Sequence, residues 1–317
     1  MQHVTPDNFN RAETDMYFEK LADEGGLGTF AHHRQLVEID RQTVIRSNRD
    51  TLYSTAVFDL DAAPVTITLP DPGNRFMSMQ VLDEDQYTHE VVYASGPYYL
   101  NRHDLGTRYV LCIVRILVDP SDPADLEVVH QLQDSISVAQ AERGHLELPD
   151  WDPLSRKKVH DALLQLGATV RGPARAFGSR TEVDPIRHLI GTATGFGGNP
   201  RQDAMYVGVV PDKNDGETVY RLVVKDVPVD GFWSVSVYNA QGYFEPNPYN
   251  LYTVNNLTAQ RAADGTIVVQ FGGERPEDPQ INWLPVSPGW NYLVRLYRPR
   301  AELLDGHWTF PDAQPIR

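Results

Sequence analysis

Between residues 65 and 69 the chain alternates strictly, with Val65, Ile67 and Leu69 apolar and Thr66 and Thr68 polar. A period of two predicts a strand with one buried face. Arg75 to Leu82, Tyr87 to Ser95 and Tyr109 to Val118 read as further strands, and Pro70 to Asn74 as a turn. Ahead of them, Phe9, Ala12, Met16 and Leu21 share a helical face that Gly25-Gly26 ends. After residue 120 the spacing turns helical. Asp122 can cap a helix, Pro123 suits its first position, and Leu126, Val129, Leu132 and Ile136 carry its apolar face to about Arg143. Ser155 can cap a second helix that ends near Gly167, and Asp184-Pro185 opens a third that ends near Gly195.

From Ala204 the period returns to two. Strands are predicted over Met205–Val210, Val219–Val227, Phe232–Asn239, Thr266–Phe271 and Tyr292–Arg298, with hairpin turns at Asp215-Gly216 and Asp264-Gly265. The pattern predicts a mainly β chain with a helical middle. Its parts are a helical lead over 1–44, a β-sandwich over 45–120, a helical segment over 121–200 and a second β-sandwich over 201–317. Short strands with turns between them favour sandwiches over a βαβ fold.

The 317 residues are 41% apolar and 22% charged, ordinary for a globular protein. No run of eighteen apolar residues is present, so no transmembrane helix is expected. The acidic start, with Asp7, Glu13, Asp15, Glu19, Asp23 and Glu24, does not read as a secretory signal. One cysteine, Cys112, excludes an intrachain disulfide and a Cys-based metal cage. A cytoplasmic location is expected. With 28 basic against 43 acidic residues, the net charge of −15 argues against nucleic acid and anionic membranes as partners. A homo-oligomer stays open.

The stretch Asn48-Arg49-Asp50-Thr51-Leu52-Tyr53-Ser54, running on through Phe58-Asp59-Leu60, Pro64, Leu69-Pro70 and Arg75-Phe76, resembles the start of the domain of unknown function 1254. Asp230 to Val235, Tyr238-Asn239, Tyr249-Asn250, Gly272-Gly273, Asn282 to Pro285 and Val294 to Tyr297 resemble the companion domain of unknown function 1214. The resemblance covers most of 45–118 and 203–300. It implies an N-terminal immunoglobulin-like sandwich, a helical middle and a C-terminal jelly-roll-like sandwich. It carries no catalytic assignment, so function is argued from residues.

Several chemistries drop out. There is no Gly-x-Ser-x-Gly elbow and no phosphate-binding Gly-x-x-x-x-Gly-Lys loop. Gly195 to Gly198 follows a helix and runs into Asn199-Pro200, so it reads as structural. None of the ten histidines pair at His-x-His spacing, and Tyr93 stands where a helical zinc motif after His89-Glu90 needs its second His. No metal and no organic cofactor are expected.

Three clusters remain. Asn48, Arg49, Asp50, Thr51 and Tyr53 pack an amide, a guanidinium, a carboxylate, a hydroxyl and a phenol at the head of a β region. They read as a polar pocket floor, with Arg49 or Arg46 as anion anchor and Asp50 as base, or as a capped turn. Asp83, Asp85, Tyr87 and His89 form the second. Strand alternation puts Tyr87 and His89 on one face, and a carboxylate beside a His suits acid–base work near neutral pH, although an edge-strand His is the commoner case. The third interleaves Tyr243, Tyr249, Asn250, Tyr252 and Trp283 in and near a Pro-rich loop, as a wall for a sugar or other polar small molecule. The sequence thus predicts an acid–base enzyme without a cofactor. Asp50 or His89 would be its base and Tyr53 or Tyr87 its acid. Asn48, Arg49, Tyr243, Tyr249, Asn250, Tyr252 and Trp283 would hold a polar small molecule or carbohydrate between the domains. The rival is a non-catalytic protein that binds a small molecule or glycan.

Overall fold

The computed structural model describes residues 1–317 apart from 43–44, 171, 173 and 317. The chain forms two compact units. The first takes residues 1–34, 52–118 and 123–201; the second takes 35–51, 119–122 and 202–317. The expected boundary after residue 44 falls at residues outside the described ones.

The first unit begins with α1 (Phe9–Leu21), continued by a π turn over Ala22–Gly26, and β1 (Ala31–His33). Then come β2 (Thr51–Asp59), β3 (Val65–Leu69), β4 (Met77–Asp83), β5 (Thr88–Val92), β6 (Gly96–Leu100), α2 (Arg102–Leu105) and β7 (Tyr109–Leu117). It closes with α3 (Pro123–Asp134), β8 (Ser137–Gln140), α4 (Pro153–Gly167) and α5 (Pro185–Thr194). One sheet runs β1-β2-β7-β4-β5 and a second β6-β3-β8; the β1–β2, β4–β7, β4–β5, β3–β6 and β3–β8 pairs are antiparallel. Phe18 of α1 packs with Val57, Leu82, Leu111 and Ile113, so the helix lies on the larger sheet. Phe9 and Ala12 pack with Leu163 of α4 and Ile190 of α5 in a helical layer.

The second unit holds β9 (Ala204–Val209), β10 (Tyr220–Val224), β11 (Trp233–Tyr238), β12 (Thr253–Asn255), β13 (Ile267–Phe271), β14 (Ile281–Leu284), β15 (Asn291–Tyr297), α6 (Ala301–Leu304) and β16 (Gln314–Pro315). Its sheets run β12-β11-β15-β9 and β14-β13-β10-β16, with β13–β14 parallel. Leu222, Val269, Phe271 and Leu284 from one sheet share a core with Val235, Trp290, Tyr292 and Val294 from the other side, which makes the unit a sandwich. The mainly β chain with a helical middle is the fold expected.

Several local expectations are corrected. Asp215-Gly216 and Asp264-Gly265 are turns but close no hairpin: β9 and β10 lie in different sheets, as do β12 and β13. The cap of α4 is Asp152, which accepts from the Leu154 and Ser155 N–H groups, while the Ser155 hydroxyl accepts from Val4 N–H. The helix expected to reach Arg143 ends at Asp134, and Ser137–Gln140 joins β3 as a strand. No helix is long and apolar enough to cross a membrane among the described residues.

Candidate functional site: a bulged histidine beside the β4–β5 turn

The turn from β4 to β5 is built by Asp83. Its Oδ1 accepts from the backbone N–H groups of Asp85 and Tyr87, both at 2.9 Å. Its own N–H donates to the Tyr87 carbonyl at 3.1 Å. Gln86 takes a left-handed φ of 63°, unusual for a residue with a Cβ. Its buried side chain accepts from the Thr192 hydroxyl of α5 at 2.8 Å, which holds the turn in place.

β5 starts only at Thr88, so Tyr87 belongs to the turn and strict alternation from Tyr87 does not hold. Val81 and Leu82 are adjacent on β4, yet they face Glu90 and Thr88 on β5. His89 is therefore the extra residue of a β-bulge, a feature that re-aims one side chain out of the ladder. His89 Nε2 lies 3.0 Å from Asp83 Oδ2. Asp83 uses one oxygen to shape the turn and the other to fix the imidazole. With Nε2–H donated to the carboxylate, Nδ1 carries the lone pair and has no partner among the described residues.

His89 and Asp83 line a cavity of about 400 Å³ with Asp85, Tyr87, Thr107, Arg11 and Arg180. That volume is in the range of small-molecule sites. Arg11 grips Asp85 at two points, Nε to Oδ1 at 3.0 Å and Nη2 to Oδ2 at 3.0 Å. Burial works against its charge, but the hydrogen bond and charge of Asp85 outweigh it and raise the Arg11 pKa. Arg180 lies over the Tyr87 ring, 4.8 Å from its centroid, and 3.6 Å from Asp85. Tyr87 stacks on the buried imidazole of His188 at 4.4 Å. Burial pushes the Tyr87 phenol up, so it stays a proton donor at neutral pH. His188 sets its ring nitrogens 3.0 Å from the Ala176 carbonyl and 2.9 Å from the Asp85 carbonyl, tying α5 to the turn.

The other expected residues sit as follows. Tyr53 lies in the first unit with its ring 5.5 Å from the Arg115 guanidinium, and its carbonyl accepts from Gln133. Asp50 is fully buried in the second unit, where Oδ1 accepts from Asn255 Nδ2 at 3.0 Å and Thr253 Oγ1 at 3.2 Å. That geometry fastens the short strand β12. Asn48 accepts from the Asp50 N–H and donates to the Tyr297 hydroxyl. Arg49 donates to the Val37 carbonyl and lies 5.3 Å from the Tyr252 ring centroid. Tyr249 packs edge-on against Trp283, whose indole N–H donates to the Gly272 carbonyl. Asn250 accepts from the Tyr252 hydroxyl, and Tyr243 is held by backbone and side chain of Asn239. Tyr252 lines a smaller cavity of about 180 Å³ with Glu245, Pro246 and Leu251.

Of the expected side chains, Tyr87 and His89 therefore share one cavity and Tyr252 lines the other; each cavity is walled by a single unit. Arg11 and Arg180 escaped the sequence reading, because they lie far from His89 in the chain and carry no local motif. Two adjacent polar residues, His89-Glu90, ahead of Val91-Val92 were the available sign of the bulge.

Two β-rich units, one with a polar cavity beside a bulged strand, define the class. Family models place it further: "Protein of unknown function (DUF1254)" matches residues 27–103 and "Protein of unknown function (DUF1214)" matches residues 204–301. The chain belongs to the two-part family in which these domains follow one another in this order. The chain is similar in fold to the crystal structure of the VPA0106 protein from Vibrio parahaemolyticus, with a TM-score of 0.72 and 16% identity over 98% of both chains. It is also similar to a putative uncharacterized protein from Burkholderia cenocepacia, with a TM-score of 0.54 and 13% identity over 97% of this chain and 87% of that one. No curated protein matches the chain.

Proposed function

We propose that the cavity beside the β4–β5 turn is an active site for acid–base chemistry on a polar small molecule. His89 moves the proton and Asp83 orients its ring. The observation that carries this reading is the bulge, which takes His89 out of the ladder and leaves Nε2 on Asp83 Oδ2 at 3.0 Å. In the proton transfer, Nδ1 accepts the proton of a ligand O–H or C–H bond, and the bonding pair stays on the ligand atom. The resulting imidazolium is stabilised by Asp83 and returns the proton at the end of the cycle. The Tyr87 phenol supplies a hydrogen bond to the atom that gains charge.

A non-catalytic binding role is the second reading. It is favoured by the use of Asp83 Oδ1 in the turn itself, which gives this carboxylate a structural task. The test is turnover of pooled polar small molecules by the purified protein, followed by kinetics of variants on any substrate found. His89→Gln lowers kcat by about a hundredfold or more with affinity kept. Asp83→Asn, which keeps an oxygen for the turn, lowers kcat while KM stays within about twofold. A merely structural Asp83 would instead raise KM and lower the melting temperature together. Binding without turnover in the wild type, unchanged by His89→Gln, establishes the binding module.

A further inference from the structure

The charge inventory of the same cavity narrows its ligand. Asp83 is occupied by the turn and by His89, and Asp85 is gripped twice by Arg11. Arg180 is left with one longer contact, 3.6 Å to Asp85, and with the face of Tyr87. Its side chain is 74% exposed. Yet the loop that presents it is fixed. The Gly178 carbonyl accepts from Thr88 N–H on β5 at 2.9 Å, and both the N–H and the hydroxyl of Ser179 donate to Glu182 at 2.8 Å. A guanidinium presented by a fixed loop and stacked on a ring keeps a planar edge of N–H donors for an anion.

Resting on the reading that this cavity works by acid–base chemistry at His89, we infer that its ligand is a small organic monoanion whose carboxylate pairs with Arg180. The hydroxyl-bearing part of the ligand then lies toward His89. The cavity wall carries two guanidiniums, Arg11 and Arg180, and two carboxylates, Asp83 and Asp85. With Arg11 committed to Asp85, and Asp83 to the turn and His89, Arg180 offers the ligand a single positive charge, which a carboxylate matches in charge and in the shape of the fork.

The experiment measures affinities of glycolate, lactate and gluconate, each against its neutral amide, by NMR titration of the wild type, Arg180→Gln, Arg180→Lys and His89→Gln. The wild type binds at least one acid about tenfold or more tighter than its amide. Arg180→Gln reduces that preference to within about twofold, and Arg180→Lys keeps part of it, because a point charge lacks the fork. His89→Gln keeps the preference in full. Equal binding of acids and amides, a preference that survives Arg180→Gln, or no binding of any acid at millimolar concentration overturns the inference. None of these outcomes touches the acid–base reading, which falls if the wild type turns over no compound or if turnover survives His89→Gln.

Discussion

The fold alters the titration of Asp15. This residue sits on α1, buried, with the Trp151 indole N–H donating to Oδ2 at 2.8 Å and no partner for Oδ1 among the described residues. Burial pushes its carboxyl up to about 7; the Trp151 hydrogen bond pulls the other way, and the charge of Glu84 adds to the rise. The native chain thus keeps a proton that the unfolded chain releases near pH 4. Stability from this site is full below the unfolded value, falls as pH rises toward 7, and levels off above it. Asp15→Asn keeps an acceptor for Trp151 and removes the titration. Relative to wild type, the variant gains on the order of a few kcal/mol between about pH 4 and pH 8. Denaturant unfolding at the two pH values checks this, and an equal difference at both would refute it.

At the scale of elements, much could be read from local chemistry. Asp184-Pro185 predicts the start of α5, and the structure has Asp184 Oδ1 accepting from Ile186 and Arg187 N–H groups at 3.1 Å. Val65–Leu69 forms the strand that its alternation predicts. Strands of two to four residues, such as β8, β12 and β16, were unreadable because they are too short to show a period and are defined by their partners. The Asp-Gly pairs misled for a related reason: a turn residue fixes local φ and ψ but not which strands its flanks join. The bulge at His89 depends on the neighbouring strand, so a single strand read by itself gives alternation instead. α5 also carries His188 and Thr192, which hold the β4–β5 turn. Asp184→Ala therefore costs about 1 kcal/mol of stability and also raises amide exchange in residues 83–88. Exchange that rises only within α5 would show that the helix does not brace the turn.

For the whole molecule, the sequence separates into its β and helical regions, but the path of the chain does not. Residues 35–51 leave the first unit and complete the second, a non-local choice that no periodicity encodes. Within the second unit, the buried Arg295 guanidinium donates to the Arg46 and Ser47 carbonyls and to the Tyr238 hydroxyl, while Asp50 holds Asn255. Without this segment, Arg295 and Asn255 lose buried partners at about 1–3 kcal/mol each. A fragment of residues 202–317 is therefore expected to unfold cooperatively only when a peptide of residues 35–51 is added. Circular dichroism melts with and without the peptide decide it, and a sharp, peptide-independent transition would contradict the account.

His89, re-aimed by the bulge and oriented by Asp83, is the group proposed to move a proton on a bound small molecule. Solvent deuterium exchange reads that step. The wild type and His89→Gln are incubated in heavy water with pooled hydroxy acids and sugars, and proton NMR follows loss of ligand C–H signals and the rise of new ones. The expected outcome is time-dependent change in at least one compound with the wild type, at a rate lower by about a hundredfold or more with His89→Gln. Equal rates for the two proteins, or no change with either, would contradict it.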